Sequence, residues 1–152
     1  MEITKYINEE MILPNLHCKT KEELFKKVYD IGRERDYVRE EFYEKILQRE
    51  KNFPTGINLG EIGVAIPHTD AKYIKKEFIA VCSIKDEVEF KSMEDENESV
   101  KVKLAFVLGL NQPHSQLTIL QELMQIIQNK ESIEKLIDAN NKNDILKIIK
   151  SL

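Results

Sequence analysis

The pattern of apolar and polar residues in the first third of the chain predicts one edge strand and two helices. The apolar stretch Met11–Leu16 is interrupted by Pro14, which is tolerated at a sheet edge because the missing backbone donor faces solvent there. Thr20 and Glu23 form a capping-box pattern, which marks the start of a helix. Apolar residues at helical spacing follow it: Leu24, Val28 and Ile31. A second helix is predicted from about residue 39 to residue 50.

Apolar runs in the middle of the chain predict the strands of a core sheet. Val64–Ile66 is short, whereas Phe78–Ile84 is almost continuously apolar, as expected of a strand covered on both faces. Val100–Leu110 begins with strict alternation and becomes solidly apolar, which is typical of a strand entering the core. We expect Val88–Phe90 to be a separate short strand paired with the second run. The acidic stretch Asp86–Glu98 is interpreted mostly as a solvated loop.

The last third of the chain is predicted to be helical. Three apolar stripes at helical spacing occur there: Leu117, Leu120, Leu123/Met124 and Ile127, then Ile133, Leu136 and Ile137, and last Ile145, Leu146, Ile148 and Ile149. Helices therefore precede and follow the strands, which predicts an α/β fold with a mixed β-sheet flanked by helices. No linker rich in Pro, Gly or Ser divides the chain, so residues 1–152 are expected to form a single domain.

Composition and charge narrow the functional classes. The chain has 152 residues, of which 41% are apolar and 33% charged, and it contains no run long enough for a membrane span. Its net charge of −4 argues against a nucleic-acid partner. The first residues, MEITKYINEEMILP, are too acidic for a signal peptide. Cys18 and Cys82 show no metal-ligand or disulfide spacing, so we expect a cytoplasmic protein without direct membrane insertion.

His68 ends a constrained strand in the stretch GVAIPHTD, residues 63–70. Pro67 fixes its own φ and pushes the residue before it towards extended geometry. The strand follows a loop with three glycines and a proline, residues 52–63. Functional groups often lie at such strand ends. Local features alone leave two interpretations open, a functional imidazole or a turn histidine held by Asp70.

His114 follows the predicted strand 100–110 and lies in the first turn of a predicted helix, because Pro113 suits the first helical position. The free backbone amides and the helix dipole at such a position favour an anion. Two imidazoles beyond the ends of core strands can meet over one edge of a sheet, so we expect His114 beside His68. The alternative interpretation is that His114 only caps the helix. The third histidine, His17, is interpreted as a surface residue.

Arg49, Thr55 and Gly56 add groups that bind anions near the glycine-rich loop. Arg49 either complements the helix dipole at the end of the second predicted helix or clamps a phosphate with its planar fork. Thr55 offers a hydroxyl and Gly56 a backbone amide. An imidazole is nucleophilic near neutral pH because its pKa is about 6.5. This set of residues suits the acceptance of a phosphoryl group on nitrogen, since the phosphorylated state needs positive or donor groups around it.

Two stretches of the chain resemble the IIA components of the bacterial sugar phosphotransferase system: REKNFPTGINLGEIGVAIPHTD, residues 49–70, and PHSQLTILQELMQII, residues 113–127. The likeness is to the superfamily of fructose, mannitol, galactitol and nitrogen-regulatory IIA proteins, and it covers nearly the whole chain. An Arg-Glu pair, a PTG turn, a strand, AIPH and a distant H-x-x-L-x-x-L occur in the family's order. Thr69 and Asp70 look like the galactitol-type branch, because fructose-type members have Gly after the histidine.

The resemblance implies a role for each candidate residue. His68 matches the phosphorylated histidine, and His114 matches a second histidine that lies beside it and contacts the phosphoryl group. Arg49 matches the arginine that helps hold the site, and Thr55 and Gly56 match the turn that lines it. The fold implied is an α/β sandwich in which helices cover both faces of a mixed sheet.

The implied activity is a phosphotransferase relay without a metal or an organic cofactor. Phosphorylated HPr docks, His68 attacks the phosphorus in line, and the group passes to a cysteine of a IIB component that serves the membrane permease IIC. Neither Cys18 nor Cys82 lies in a phosphate cradle, so a free-standing IIA subunit is expected. The galactitol-like branch implies uptake and phosphorylation of a sugar or sugar alcohol.

Two alternatives remain open from the residues. The first is a regulatory, nitrogen-type IIA protein, which is phosphorylated in the same way but acts by binding another protein. The second is a metal-dependent hydrolase in which His68, Asp70 and His114 are ligands, since paired histidines occur in such sites.

Overall fold

Five strands form one mixed sheet in the computed structural model, which describes residues 1–152. The strands are β1 (Ile12–Leu16), β2 (Gly56–Asn58), β3 (Gly63–Ala65), β4 (Phe78–Lys91) and β5 (Ser99–Gly109). Their order across the sheet is β1-β4-β5-β3-β2. β1 runs parallel to β4 and β3 parallel to β5, whereas β4 with β5 and β2 with β3 are antiparallel. The predicted mixed sheet is therefore confirmed, with β1 at one edge as expected.

Five helices cover the two faces of this sheet. They are α1 (Lys21–Glu34), α2 (Phe42–Asn52), α3 (Pro113–Gln128), α4 (Lys130–Asp138) and α5 (Lys142–Lys150). Short 3₁₀ turns occupy Glu2–Tyr6, Glu9–Met11 and Ala71–Tyr73. None of the five helices combines the length and the apolar character that crossing a lipid bilayer requires.

Both predicted helix starts are present. The Thr20 hydroxyl accepts a hydrogen bond from the Glu23 amide at 3.2 Å, and the Glu23 carboxylate accepts one from the Lys19 amide at 2.8 Å. The first bond is the N-cap half of the predicted capping box and satisfies a backbone donor that the helix cannot pair internally, whereas the second reaches Lys19, one residue before the N-cap. Pro113 occupies the first position of α3, as its missing N–H allows.

The sheet divides the buried apolar side chains into two cores. One core of 22 residues packs between the sheet and helices α1 and α2, and a second core of 20 residues packs between the sheet and helices α3 to α5. Successive residues of a strand face opposite sides, so β3 contributes Ala65 to the first core and Val64 to the second. A helical layer on each face is the α/β arrangement that the resemblance implies.

Two sequence predictions about the strands are wrong. Val88–Phe90 is not a separate strand, because β4 continues from Phe78 to Lys91 and pairs with β5 on both sides of an irregularity between Ser83 and Val88. The acidic stretch is therefore strand as far as Lys91, and only the turn beyond it is loop. β2 lies inside the loop predicted for residues 52–63, where its three residues are too few to show a strand period.

The apolar stripe predicted for α3 also differs from the buried face. Ile119, Leu123, Ile126 and Ile127 are buried, whereas Leu117, Leu120 and Met124 are exposed. Apolar residues occupy two neighbouring faces of this helix, and only one of them can face the sheet. The exposed face lies towards the end of the sheet that carries His68, because Leu120 lines the cavity there.

Candidate functional site

His68 is held at the end of β3 by backbone hydrogen bonding to β5. The Leu108 amide donates to the Pro67 carbonyl at 2.9 Å, and His68 forms a parallel bridge with Leu108. Ile66, two residues before the histidine, is fully enclosed in the core. The proline that ends the strand thus leaves the imidazole fixed in place, next to the first turn of α3.

A backbone carbonyl fixes the tautomer of His68. The Nδ1 atom lies 2.9 Å from the Ile66 carbonyl oxygen, and a carbonyl only accepts hydrogen bonds, so Nδ1 carries the proton. Nε2 has no hydrogen-bond partner within the protein and holds the free lone pair of the neutral ring. This arrangement leaves Nε2 as the nucleophilic atom.

Burial lowers the pKa of His68 below its usual value. The hydrogen bond to Ile66 and the Asp70 carboxylate oppose this effect, whereas the Arg49 guanidinium adds to it. The imidazole is therefore neutral at neutral pH, since even the ordinary value lies below 7. A neutral ring is the form that attacks an electrophile.

Arg49 extends from the last turn of α2 to the same site. Its Nη1 atom lies 3.3 Å from the Asp70 carboxylate, and its guanidinium lies 4.8 Å from the centre of the Phe53 ring. The Nε atom is buried and has no hydrogen-bond partner. A planar guanidinium with an unused buried donor is suited to bind an incoming anion.

Thr55 is tied to a buried carboxylate that the sequence analysis did not single out. Glu50 is only 2% exposed, and its two oxygens accept hydrogen bonds at 2.7 Å from the Thr55 amide and hydroxyl. Burial raises the pKa of Glu50 to about 7, although both Thr55 hydrogen bonds act to lower it. In the sequence Glu50 appears only as the second member of the Arg-Glu pair, with three residues between it and the PTG turn.

Gly56 has a packing role and is not among the residues that line the site. A Cβ atom at this position would lie 2.5 Å from the Lys91 carbonyl oxygen, so no side chain fits between β2 and the end of β4. The Met93 amide also donates to the Gly56 carbonyl at 2.7 Å. Gly56 is thus a predicted site residue that lines neither of the cavities containing His68.

Two adjoining cavities share His68 and Arg49. The first has a volume of about 260 Å³, and its lining includes Asp70, Leu110, Gln116 and Leu120. The second has a volume of about 450 Å³, and its lining includes Phe53, Thr55, Met93, Glu94 and Glu96. The structure thus brings together three of the predicted site residues, His68, Arg49 and Thr55.

His114 lines neither cavity, contrary to the expectation that two imidazoles meet. Its side chain is 79% exposed, and its Nε2 atom lies 3.7 Å from the Glu2 carboxylate. The cavity is lined instead by Gln116, whose amide nitrogen donates to the Leu110 carbonyl at 3.3 Å. Residues 114 and 116 differ by about 200° around a helix, so only one of them can face His68.

The three residues of the metal-site alternative do not come together, because Asp70 lies near His68 but His114 does not. Asp70 pairs with Arg49, and His114 lies against Glu2. No three side chains of the types that bind metals are grouped anywhere in the structure. The first cavity instead combines a neutral nucleophilic imidazole with a guanidinium and a side-chain amide, a set suited to an electrophile that carries negative charge.

Comparison with protein-family models agrees with this chemistry. The model described as "Phosphoenolpyruvate-dependent sugar phosphotransferase system, EIIA 2" matches residues 5–152. Among characterised proteins, the chain is 33% identical over 100 residues to the PTS system galactitol-specific EIIA component of Escherichia coli strain K12. That alignment covers 66% of this chain and 66% of the relative. The chain therefore spans just under two thirds of the relative's length.

Two solved structures share the fold along almost the whole chain. The nitrogen regulatory protein IIA-Ntr from Neisseria meningitidis superposes with a TM-score of 0.78 at 23% identity, covering 98% of this chain and 99% of that one. The mannitol enzyme IIA from Escherichia coli, solved in complex with phosphorylated mannitol enzyme IIB, gives a TM-score of 0.76 at 23% identity and covers 96% and 98%. At these identities the two structures establish the fold.

Proposed function

The chain belongs to the EIIA 2 family of the phosphoenolpyruvate-dependent sugar phosphotransferase system, and we propose that it is the phosphocarrier that accepts a phosphoryl group from phospho-HPr on His68. The observation that supports this most directly is the tautomer of His68. The Ile66 carbonyl holds the proton on Nδ1, so Nε2 presents a lone pair beside an arginine. The same atom then passes the group to a cysteine of a IIB component.

The transfer is a symmetrical exchange of nitrogen–phosphorus bonds. The Nε2 lone pair of His68 attacks phosphorus, and the bond between phosphorus and the donor imidazole breaks with its electron pair remaining on that donor. The proton on Nδ1 stays on the Ile66 hydrogen bond. The positive charge that develops on the phosphorylated ring is stabilised by this carbonyl and by the Asp70 carboxylate, which already favours the charged ring.

The donors around His68 bind the phosphoryl oxygens in this proposal. Arg49 exchanges its contact with Asp70 for the more highly charged phosphoryl group, using the planar fork that suits phosphate. Gln116 supplies a neutral N–H from α3. Gln116 thereby takes the role that the resemblance assigned to His114.

The relatives support a class of partner and a class of sugar. The mannitol enzyme IIA that shares this fold was solved with phosphorylated enzyme IIB, which supports a IIB cysteine as the acceptor. The galactitol-specific relative supports a galactitol-like sugar or sugar alcohol as the compound finally phosphorylated during transport through IIC. The regulatory alternative rests on a likeness of fold to IIA-Ntr, and no feature of this site favours it.

Labelling of variants that each lack one histidine tests the assignment of His68 as the phosphorylated residue. The protein is incubated with radiolabelled phosphoenolpyruvate, enzyme I and HPr, and the wild type is expected to take up one phosphoryl group that is labile in acid and stable in base. His68→Ala should take up none, because no other imidazole lies between Arg49 and Gln116.

The matched controls are His114→Ala and His17→Ala, which replace exposed histidines outside the cavities. Both are expected to take up label stoichiometrically. Full labelling of His68→Ala with retained fold would refute the proposal.

A further inference from the structure

Thr55, which lines the site, forms a buried pair with Glu50 behind it. Glu50 is 2% and Thr55 is 4% exposed, and two hydrogen bonds of 2.7 Å join them. One of these bonds uses the Thr55 backbone amide, which holds the PTG turn in place. The other joins one oxygen of Glu50 to the Thr55 hydroxyl, and this bond has two possible directions.

The direction of that bond decides what Thr55 offers to the cavity. When Glu50 is ionised it only accepts, so the Thr55 hydrogen points at the carboxylate and the hydroxyl presents lone pairs elsewhere. When Glu50 is protonated it donates to the Thr55 oxygen, and the hydroxyl hydrogen becomes free to rotate towards the cavity. Thr55 lines this cavity together with His68 and Arg49.

We propose that Glu50 is a positioning residue for the phosphorylated state, because proton uptake by Glu50 turns the Thr55 hydroxyl into a hydrogen-bond donor for the phosphoryl group on His68. The proposal rests on the proposed function, since it concerns the same phosphoryl group. The step forms one O–H bond on Glu50 with a proton from solvent. It breaks no covalent bond, because Thr55 only exchanges its acceptor from the carboxylate to a phosphoryl oxygen.

The surroundings of Glu50 make this protonation accessible near neutral pH. Burial raises the pKa of Glu50 to about 7, against the opposing effect of the Lys21 ammonium on α1. Across the cavity lie the Arg49 guanidinium, the His68 imidazole and the carboxylates of Glu94 and Glu96. A phosphoryl dianion on His68 adds negative charge to this cavity and raises the pKa of Glu50 further.

The sign of the pH dependence follows from the proton count. The phosphorylated protein binds more protons at Glu50 than the unphosphorylated protein, so phosphorylation is favoured at low pH and weakened as pH rises. His68 and the phosphoryl group also titrate, and they do so in every variant that keeps them. A ratio of wild type to a Glu50 variant therefore isolates the contribution of Glu50.

The test is the partition of radiolabel between HPr and this protein, measured at equilibrium from pH 6 to pH 8. Glu50→Gln is the matched variant, because its amide oxygen accepts from the Thr55 amide and its amide nitrogen donates permanently to the Thr55 hydroxyl. The partition constant of the wild type divided by that of Glu50→Gln is expected to fall about threefold to tenfold over this range. A ratio that does not change with pH overturns the proposal.

Two variants of Thr55 test whether Glu50 acts on the phosphoryl group through the Thr55 hydroxyl. Thr55→Val removes the hydroxyl and should reduce the pH-dependent difference from Glu50→Gln to the direct electrostatic effect of the phosphoryl group on Glu50, whereas Thr55→Ser restores a hydroxyl and should recover the full difference. A Thr55→Val protein that keeps the wild-type profile overturns the role of Thr55. Thermal unfolding of each variant identifies any that fail to fold, and the ratio of the wild type to Glu50→Gln then decides the proposal.

The outcomes separate this proposal from the proposed function. If His68 is labelled and the pH dependence of the partition is the same in all variants, the role of Glu50 is overturned and the proposed function stands. The absence of label from the wild type overturns the proposed function and the role of Glu50 together.

Discussion

Arg49 is held in a geometry that a lysine cannot reproduce. The guanidinium lies over the Phe53 ring at 4.8 Å, contacts Asp70 through one nitrogen at 3.3 Å, and keeps its buried Nε without a partner. A planar group can stack on a ring with its face while its edge binds two oxygens. An ammonium is a single, strongly hydrated charge and cannot do both.

Arg49→Lys is therefore expected to slow the transfer of phosphoryl from phospho-HPr by about tenfold to a hundredfold, which is the loss expected for one bidentate charge-assisted contact. The initial rate of label uptake at limiting phospho-HPr measures the effect. Arg35→Lys is the matched control, because Arg35 is an exposed residue beyond the end of α1. Equal rates for the two variants would contradict a phosphoryl-binding role for Arg49.

The sequence indicated the nucleophile more readily than its supporting contacts. Pro67 and the glycine-rich loop marked His68, because backbone constraints are visible in residue types. The Arg-Glu pair showed Glu50 but not its burial, since a carboxylate on a helix is ordinarily exposed and only the fold buries this one. The choice between His114 and Gln116 depends on the rotation of α3 against the sheet, which packing decides.

At the scale of secondary structure, glycines let the short strands beside the site pack closely against their neighbours. A Cβ at Gly56 would lie 2.5 Å from the Lys91 carbonyl oxygen, and one at Gly63 would lie 2.4 Å from the Lys101 carbonyl oxygen. Both obstacles are backbone atoms, which cannot rotate away. β2 and β3 therefore keep their positions only while both residues are glycine.

Gly56→Ala is expected to lower the free energy of unfolding by about 2–4 kcal/mol, because a strand must shift to admit the methyl group. Gly60→Ala is the comparison: its φ of 100° is unfavourable for alanine, but no atom lies within 4 Å of the added carbon. We expect it to cost about 1 kcal/mol. Denaturant unfolding measures both, and an equal or smaller cost at Gly56 would contradict the packing argument.

Long helices and strands with a strong hydrophobic pattern were predictable from the sequence. A short strand, and the buried face of a helix with apolar residues on two faces, were not. The capping box at Thr20 and the apolar run of β5 identified their elements because each carries a local signal. β2 has three residues and gains its hydrogen bonds from β3, so its signal is not local. The exposed apolar face of α3 around Leu120 resembled a buried one, because hydrophobicity alone does not say which face the sheet covers.

The buried carboxyl group affects the stability of the whole molecule as well as the site. Because burial raises the pKa of Glu50 from 4.5 to about 7, the folded protein binds more protons than the unfolded chain between these values. Stability therefore falls as pH rises through this window. His68 has a lowered pKa and contributes the opposite slope below its ordinary value.

Glu50→Gln is accordingly expected to gain stability relative to the wild type between pH 5 and pH 8, by at most about 3 kcal/mol. Urea unfolding at the two pH values gives the difference, and the slope from His68 cancels because both proteins contain it. A stability difference that is the same at pH 5 and pH 8 would show that Glu50 titrates normally.

The division of the interior by the sheet places the residues that lead into His68 in both cores. Val64 and Ile66 are anchored in one core, and Ala65 between them is anchored in the other. A repacking of either core therefore shifts the backbone that ends in His68. The position of the imidazole depends on the packing of both cores. Remodelling of the helices on either face therefore has to preserve the packing around Val64, Ala65 and Ile66, and volume-conserving exchanges away from these three residues are expected to leave the reacting nitrogen in place.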